Sequence, residues 1–324
     1  MPGAVASRAG GTVDCPMTQR IVSLLPSATE LVAALGAAGE LVGRSHECDF
    51  PPEVAALPVL TEARLDATGS SAEIHAGMEA ALADALSVYR VDAAGLEALA
   101  PDVVVTQAQC EVCAVSEDDV VAALGRWNGS VNEPRLVSLK AETLAGVYDD
   151  LTRLGTALGR EAQAAVLAAQ MRERLETIAG RSVEAGWKPR LMFVEWMDPP
   201  MAGGNWMPEL IDLAGGESLF AERGKPSPWV DWKDVAAADP EAILIAPCGF
   251  ELERVAGEMH TLEALPGWAD LKAVRSGRVA IADGNAFFNR PGPRLVESAE
   301  IVAEFLHPDV FDFGHEGTRW RRIP

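Results

Sequence analysis

The stretch Ala141–Gly180, AETLAGVYDDLTRLGTALGREAQAAVLAAQMRERLETIAG, contains no proline. Leu144, Val147, Tyr148, Leu151, Leu154, Leu158, Ala162, Ala165, Val166 and Ala169 recur at steps of three and four, which places them on one stripe of an α-helix. Asp149, Arg153, Arg160, Glu161, Arg172 and Glu173 fall mostly between them. As a single helix the stretch is about 60 Å long, too long to sit inside one small domain. Gly155 and Gly159 each weaken a helix by about 1 kcal/mol relative to Ala. The competing reading is therefore two helices broken near Gly159. Strand and helix signals alternate on both sides of the stretch. The pattern predicts a rigid strut (residues 141–180) joining an N-terminal α/β lobe (19–140) to a C-terminal α/β lobe (181–324), with a groove between them and a disordered tail over 1–18.

A chain of 324 residues is long enough for about two domains. Acids outnumber bases by 48 to 27. Such a surface repels phosphate backbones and anionic headgroups, so nucleic acid and membrane surfaces are poor partners. The opening MPGAVASRAGGTVDCPMTQR lacks the basic start and the apolar run of about 7–15 residues that make a secretory signal. Cys15, after Thr-Val-Asp, does not look like a lipid-attachment site, and no window is apolar enough to span a bilayer. The expectation is a cytoplasmic chain, with a periplasmic or cell-surface location as the alternative if a leader is missing. Met17 is a second candidate start, just ahead of the first strand.

Arg20–Leu25 reads as a short buried strand. Pro26, Ser27, Ala28, Thr29 and Glu30 follow, and Ser27 with Glu30 has capping-box spacing for a helix through Leu35. A strand feeding a capped helix directs backbone N–H groups outward at the strand's carboxyl end, where open α/β sheets bind ligands. Further strands are expected at Leu41–Arg44, Val103–Thr106, Arg135–Leu139, Arg190–Val194, Ala242–Ala246 and Arg278–Ala282, and helices at Met78–Tyr89, Glu117–Leu124, up to Leu213, Trp232–Ala237 and Pro293–Leu306. The run Val103–Thr106 is β-branched throughout, as in a strand buried on both faces.

The unusual residues follow the strand ends. Cys48, Cys110, Cys113 and Cys248 all do so, and Cys110 and Cys113 have CxxC spacing. Thiolates gathered in a groove select zinc or an iron–sulfur cluster, with His46 and Glu47 as further ligands. The bland alternative is that these are small buried residues of loop ends. Trp196, Trp206, Trp229, Trp232, Phe250, Phe287 and Phe288 gather in loops, where several facing one groove form a platform for a large flat ligand. Ligand wall and core are both open for Trp196, Trp206 and Trp229, whereas Trp232, Trp268 and Trp320 read as packing residues. Glu195 at a strand end is a candidate base and Cys110 a candidate nucleophile. No Gly-x-Ser-x-Gly, P-loop or Gly-x-Gly-x-x-Gly stands after a strand, so catalysis lacks a motif.

The start RIVSLLPSATELVAALG, the central helical stretch, the segment MPELIDLAGGESLFAERGKPSPWVDWKDVAAADPEAILIAP and the ending VAIADGNAFFNRPGPRL resemble the class III substrate-binding proteins of ABC importers. The cobalamin-binding branch, related to ferric-siderophore and haem binders, is the most similar. The resemblance implies two Rossmann-like lobes joined by one long rigid α-helix, ligand in the cleft between them, little hinge motion, delivery to a membrane permease and no catalysis. Trp229 matches the family's cleft tryptophan, and the turn at Pro26, Ser27 and Ala28 matches a cleft-lining turn. The expected ligand-binding set is Pro26, Ser27, Glu195, Trp196, Trp206, Trp229, Phe250, Phe287, Asn289 and Arg290. The expected metal set is His46, Cys48, Cys110, Cys113 and Cys248. Two departures, the missing signal and the thiol-rich HECDFPP and QCEVCAV segments, point to a cytoplasmic relative binding a corrinoid such as cobalamin, another metal chelate or a cluster. On the corrinoid reading His46 or a cleft cysteine is the candidate axial ligand.

Overall fold

The computed structural model describes residues 18–64, 66–83, 88–107, 117–125 and 133–323. In chain order the first half contains β1 (Ile21–Ser23), α1 (Pro26–Ala34), β2 (Leu41–Arg44), β3 (Thr61–Ala63), α2 (Ser71–Ala83), β4 (Tyr89–Val91), α3 (Ala93–Leu99), β5 (Val103–Gln107), α4 (Glu117–Leu124) and β6 (Arg135–Leu139). Strands β2, β1, β5 and β6 form a parallel sheet in that order, and β3 and β4 form a small antiparallel pair. Alternate residues of the β-branched strands feed opposite faces. Ile21, Val103 and Val105 pack on one side with α1, while Val22, Leu24 and Val104 pack on the other with Leu96 and Val120. Burial on both faces is what a continuous apolar run in a parallel strand requires.

The second half repeats this grammar. It contains β7 (Arg190–Trp196), β8 (Met201–Ala202), α7 (Met207–Leu213), β9 (Glu217–Ser218), α8 (Trp232–Ala238), β10 (Ala242–Ile245), α9 (Leu252–Glu258), α10 (His260–Glu263), α11 (Lys272–Arg275), β11 (Val279–Ala282), α12 (Leu295–Leu306) and β12 (Trp320–Arg322). The sheet order is β12-β11-β10-β7-β8, with β9 also on β7. Strands β11, β10 and β7 are parallel, and both outer strands of this path, β12 and β8, run antiparallel to their neighbours. Trp320 on β12 is fully buried and Trp232 stacks on Trp268 at 5.9 Å, so these three tryptophans are packing residues as expected.

Between the two sheets the stretch that organises the chain is two helices. α5 (Leu144–Leu158) and α6 (Glu161–Ser182) meet at Gly159, whose φ of +65° is the left-handed conformation glycine adopts without cost. The break near Gly159 is thus the correct alternative, and the continuous strut over 141–180 is corrected. The helices fold back on each other. Tyr148 lies under the Arg172 guanidinium at 4.1 Å, and Gly155 lets Ala164 approach so closely that a Cβ there would sit 2.6 Å from the alanine's. Both helices still bridge the halves. Leu144, Val147, Met171, Leu175 and Ile178 belong to the second-lobe core, whereas Leu151, Leu154, Leu158, Ala164 and Ala168 belong to the first. The apolar stripe read from the sequence holds in α5, at Leu144, Val147, Leu151, Leu154 and Leu158, but not in α6, where Ala162, Ala165, Val166 and Ala169 are exposed and Ala164, Ala168, Met171, Leu175 and Ile178 form the buried face of an antiparallel rod.

Candidate functional site

The parallel strands of both sheets carry the residues singled out by the sequence at their carboxyl ends. After β1, Pro26 occupies the first turn of α1, and the N-cap is Leu25 in extended conformation with no side-chain cap. Proline's fixed φ starts the helix there, so Ser27 falls inside the first turn and is 2% exposed. The expected Ser27–Glu30 capping box does not form. Glu30 instead accepts hydrogen bonds from Arg290 and Arg294 of the other lobe. Burying Glu30 is tolerable because two guanidiniums surround it.

The segment after β2 brings four polar groups together. His46 Nδ1 lies 2.7 Å from Thr61 Oγ1, and its ring is 5.6 Å from that of Tyr89. Burial lowers the His46 pKa, favouring the neutral ring. The Tyr89 hydroxyl donates to Glu47 at 3.2 Å, yet burial still raises the Glu47 pKa. Cys48 is 1% exposed, receives a hydrogen bond from Thr29 Oγ1 at 3.0 Å, and has its thiol pushed up to about 11 by burial. It packs in the first-lobe core. Asp49 is partly buried, but the Arg290 hydrogen bonds and charge outweigh that and hold its carboxyl below the usual range. Arg290 donates to Asp49, Glu30 and Asn285, and Asn285 also donates to Asp49 at 2.9 Å. This charged junction ties the lobes together.

The second-lobe aromatics separate into two groups. Trp206 is buried in the core and donates its Nε1 proton to the Phe288 carbonyl at 2.7 Å. Phe250 and Phe287 are buried as well, Phe250 with the Arg254 guanidinium 3.6 Å from its ring. For Trp206 the core alternative fits its enclosed ring, and the rings of Phe250 and Phe287, expected to line the ligand, are enclosed by protein as well. Asn289 donates to the Gly284 carbonyl at 2.9 Å and so braces its own loop. Trp196 is half-buried at the end of β7, edge-on to Phe250 at 5.3 Å, and Trp229 is 49% exposed. Glu195 accepts a hydrogen bond from Ser227 at 2.8 Å, and its carbonyl accepts from the Cys248 amide at 3.1 Å.

The structure adds an element that the sequence reading did not place at the site. Helix α2 comes from the first half of the chain but packs on the second lobe. Ile74 joins the Trp196 and Phe250 cluster. The Trp196 indole donates to the Ser71 carbonyl at 3.2 Å, Glu258 accepts from the Ser71 amide at 3.0 Å, and Arg254 donates to the Gly69 carbonyl at 2.7 Å. The His75 ring stands edge-on to Trp229 at 4.8 Å. A signal was available: Ser70 and Glu73 exchange the reciprocal bonds of a capping box, at 3.3 and 2.8 Å. The same motif was assigned at Ser27, while the expected helix began later, at Met78.

Among the described residues no group of three or more His, Cys, Asp or Glu is placed to hold a metal ion. His46, Cys48 and Cys248 do not form one, and Cys110 and Cys113 lie outside the described residues. Two concave surfaces, of about 470 and 450 Å³, are lined respectively by Tyr148, Arg172 and Glu209 among α5, α6 and α7, and by Trp187, Lys272 and Arg278. Neither touches Trp196 or Trp229. The tryptophan site is the better candidate, because it joins two partly exposed indoles to groups from both lobes.

The chain is 24% identical over 300 residues to an ABC transporter substrate-binding lipoprotein of Bacillus subtilis, covering 90% of this chain and 81% of the relative. It is 24% identical over 292 residues to a vitamin B12-binding protein of Vibrio cholerae, covering 89% of each. Among solved structures it superposes on a periplasmic heme binding protein from Pseudomonas aeruginosa with a TM-score of 0.72 and 22% identity, over 94% of this chain and 98% of that one. The periplasmic vitamin B12 binding protein of Vibrio cholerae gives 0.64 at 22% identity, over 89% and 96%. These likenesses establish the two-lobed fold. They overturn the expectation of a cytoplasmic chain, since the relatives are periplasmic binding proteins or a lipoprotein. The enzyme alternative built on Cys110 or Glu195 falls too, since such proteins carry ligands without transforming them. No described helix is long and apolar enough to cross a membrane. The model of the periplasmic binding protein family matches residues 21–286, and the chain belongs to that family.

Proposed function

We propose that this protein binds a flat metal tetrapyrrole, a corrinoid of the cobalamin type, between its lobes and presents it to the permease of an ABC importer. The observation that carries this reading is the pair of indoles Trp196 and Trp229 at the rim of the second lobe, with α2 of the first lobe laid against them. Large aromatic faces with one wet side suit a broad, mostly apolar ligand that needs orientation more than charge. The vitamin B12-binding relatives, matched over 89% of the chain, support the corrinoid. Haem is the second reading, supported by the fold shared with the heme binding protein of Pseudomonas aeruginosa.

Titrating the purified chain with cyanocobalamin and, in parallel, with haemin tests the choice. The corrinoid reading predicts saturable one-to-one binding of cyanocobalamin with quenching of tryptophan fluorescence. Saturable binding of haemin with no response to cyanocobalamin would replace it by the second.

A further inference from the structure

Helix α2 carries two polar atoms that the described structure leaves unsatisfied. Ser71 is 1% exposed, and its hydroxyl has no hydrogen-bond partner. One turn later His75 Nδ1 is also buried without a partner. Residues four apart lie side by side on a helix, so both atoms belong to one face. The other described buried side-chain atoms without partners, among them Gln19 Oε1 and Glu297 Oε2, include no second pair within one helical turn. A buried polar group without a partner pays for its lost hydration with nothing in return. Two together, in a seam whose backbone groups are otherwise satisfied by Trp196, Glu258 and Arg254, mark a place where something else completes the bonding.

The proton positions define what fits. His75 Nε2 lies 3.4 Å from the Glu79 carboxylate, which favours the tautomer with its hydrogen on Nε2. Nδ1 is then an acceptor, and the Ser71 hydroxyl is free to donate. A primary carboxamide supplies the complement: its N–H₂ donates to Nδ1 while its carbonyl accepts from the hydroxyl. A carboxylate offers only acceptors and sets an oxygen lone pair against the Nδ1 lone pair.

We infer that Ser71 and His75 form a carboxamide-recognising subsite that selects a tetrapyrrole rimmed with amides over one rimmed with carboxylates. The inference rests on the reading under Proposed function and sharpens it. Corrinoids of the cobalamin type carry carboxamide side chains around the ring, whereas haem carries carboxylates. With the ring against Trp196 and Trp229, α2 is the element that meets its rim.

The experiment compares cyanocobinamide with cyanocobyrinic acid, two corrinoids that share the ring but differ in amide or carboxylate rims. Affinities are measured by titration for the unsubstituted protein and for Ser71→Ala, His75→Leu and His75→Gln. The unsubstituted chain should prefer the amide form by at least about tenfold. Ser71→Ala and His75→Leu should each reduce that preference severalfold, mostly by weakening the amide ligand. His75→Gln still offers an acceptor and should retain part of it. If His75→Leu fails to fold, the other two variants carry the comparison. Unchanged preference in variants that fold and bind overturns the subsite while leaving the corrinoid reading intact. Failure of the unsubstituted protein to bind either corrinoid overturns both.

Discussion

Besides the helices α5 and α6, two junctions among the described residues join the lobes, and they are built on opposite principles. At one, Arg290 and Arg294 meet Glu30 and Asp49, and the charges and donors answer one another. At the other, α2 meets Trp196 and Trp229 with its backbone bonds made but two side-chain atoms unanswered. The first is complete without a ligand and is suited to fixing the lobes. The second is incomplete and half exposed, as a site awaiting a ligand should be. Stability and binding are therefore expected to separate along these two seams.

The largest expected effect tests the complete junction. Arg290→Ala leaves Glu30 with one guanidinium and Asp49 without its bidentate partner. Removing one member of a buried ion cluster costs about 3–5 kcal/mol, to be read from urea denaturation. A loss below about 1 kcal/mol would show that the junction does not fix the lobes. Trp206→Ala should cost a similar amount, about 3–5 kcal/mol, because the ring is core.

At the incomplete junction the pattern reverses. Trp229→Ala should change stability by no more than about 0.5 kcal/mol, as expected of a half-exposed side chain, yet weaken cyanocobalamin binding about tenfold or more. Loss of stability without loss of binding would erase the contrast between the seams.

Two smaller effects concern pH. The carboxyls of Asp49 and Glu300 are held below their ordinary range by Arg290 in one case and by His315 and Arg174 in the other, against the opposing effect of burial. Their contribution is full above the ordinary carboxylate pKa of about 4 and is lost as pH falls through the depressed folded values. Asp49→Asn should flatten this acid-side loss. Burial raises Glu47 instead, so its contribution has the opposite sign, and stability falls as pH rises above the group's ordinary value. Glu47→Gln should therefore be slightly more stable than the unsubstituted chain at neutral pH, with the difference vanishing near pH 4. Denaturation midpoints across pH 3–8 check both.

The sheets were legible in the sequence because short continuous apolar runs such as Val103–Thr106, β-branched throughout, and Ala242–Ala246 lie between turn signals. The helical stripe of 141–180 was legible in its first half, but the chain turns back at Gly159, with a positive φ there and a close approach at Gly155, so a period carried on from α5 lands on the exposed face of α6. Arg290 and Trp229 were singled out as ligand-binding residues; Arg290 is instead enclosed by Glu30, Asp49 and Asn285, and Trp229 stands against His75. What the ring of Trp206 or Phe287 faces depends on packing between distant segments, and sequence position alone left core and cleft indistinguishable. The small pair β3–β4 and the edge strand β12 rest on long-range pairing and left no period to read. Helix α2 did leave a local mark in Ser70 and Glu73, but not its partner, since its bonds run to residues more than 120 positions away.

The most direct test of the account is hydrogen–deuterium exchange of the full chain with and without saturating cyanocobalamin. Slowed exchange is expected in the amides of Ser71–Ala83 and around Trp196 and Trp229, with little change at the concave surface among α5, α6 and α7. Protection at that surface, with α2 exchanging as in the free protein, would contradict it.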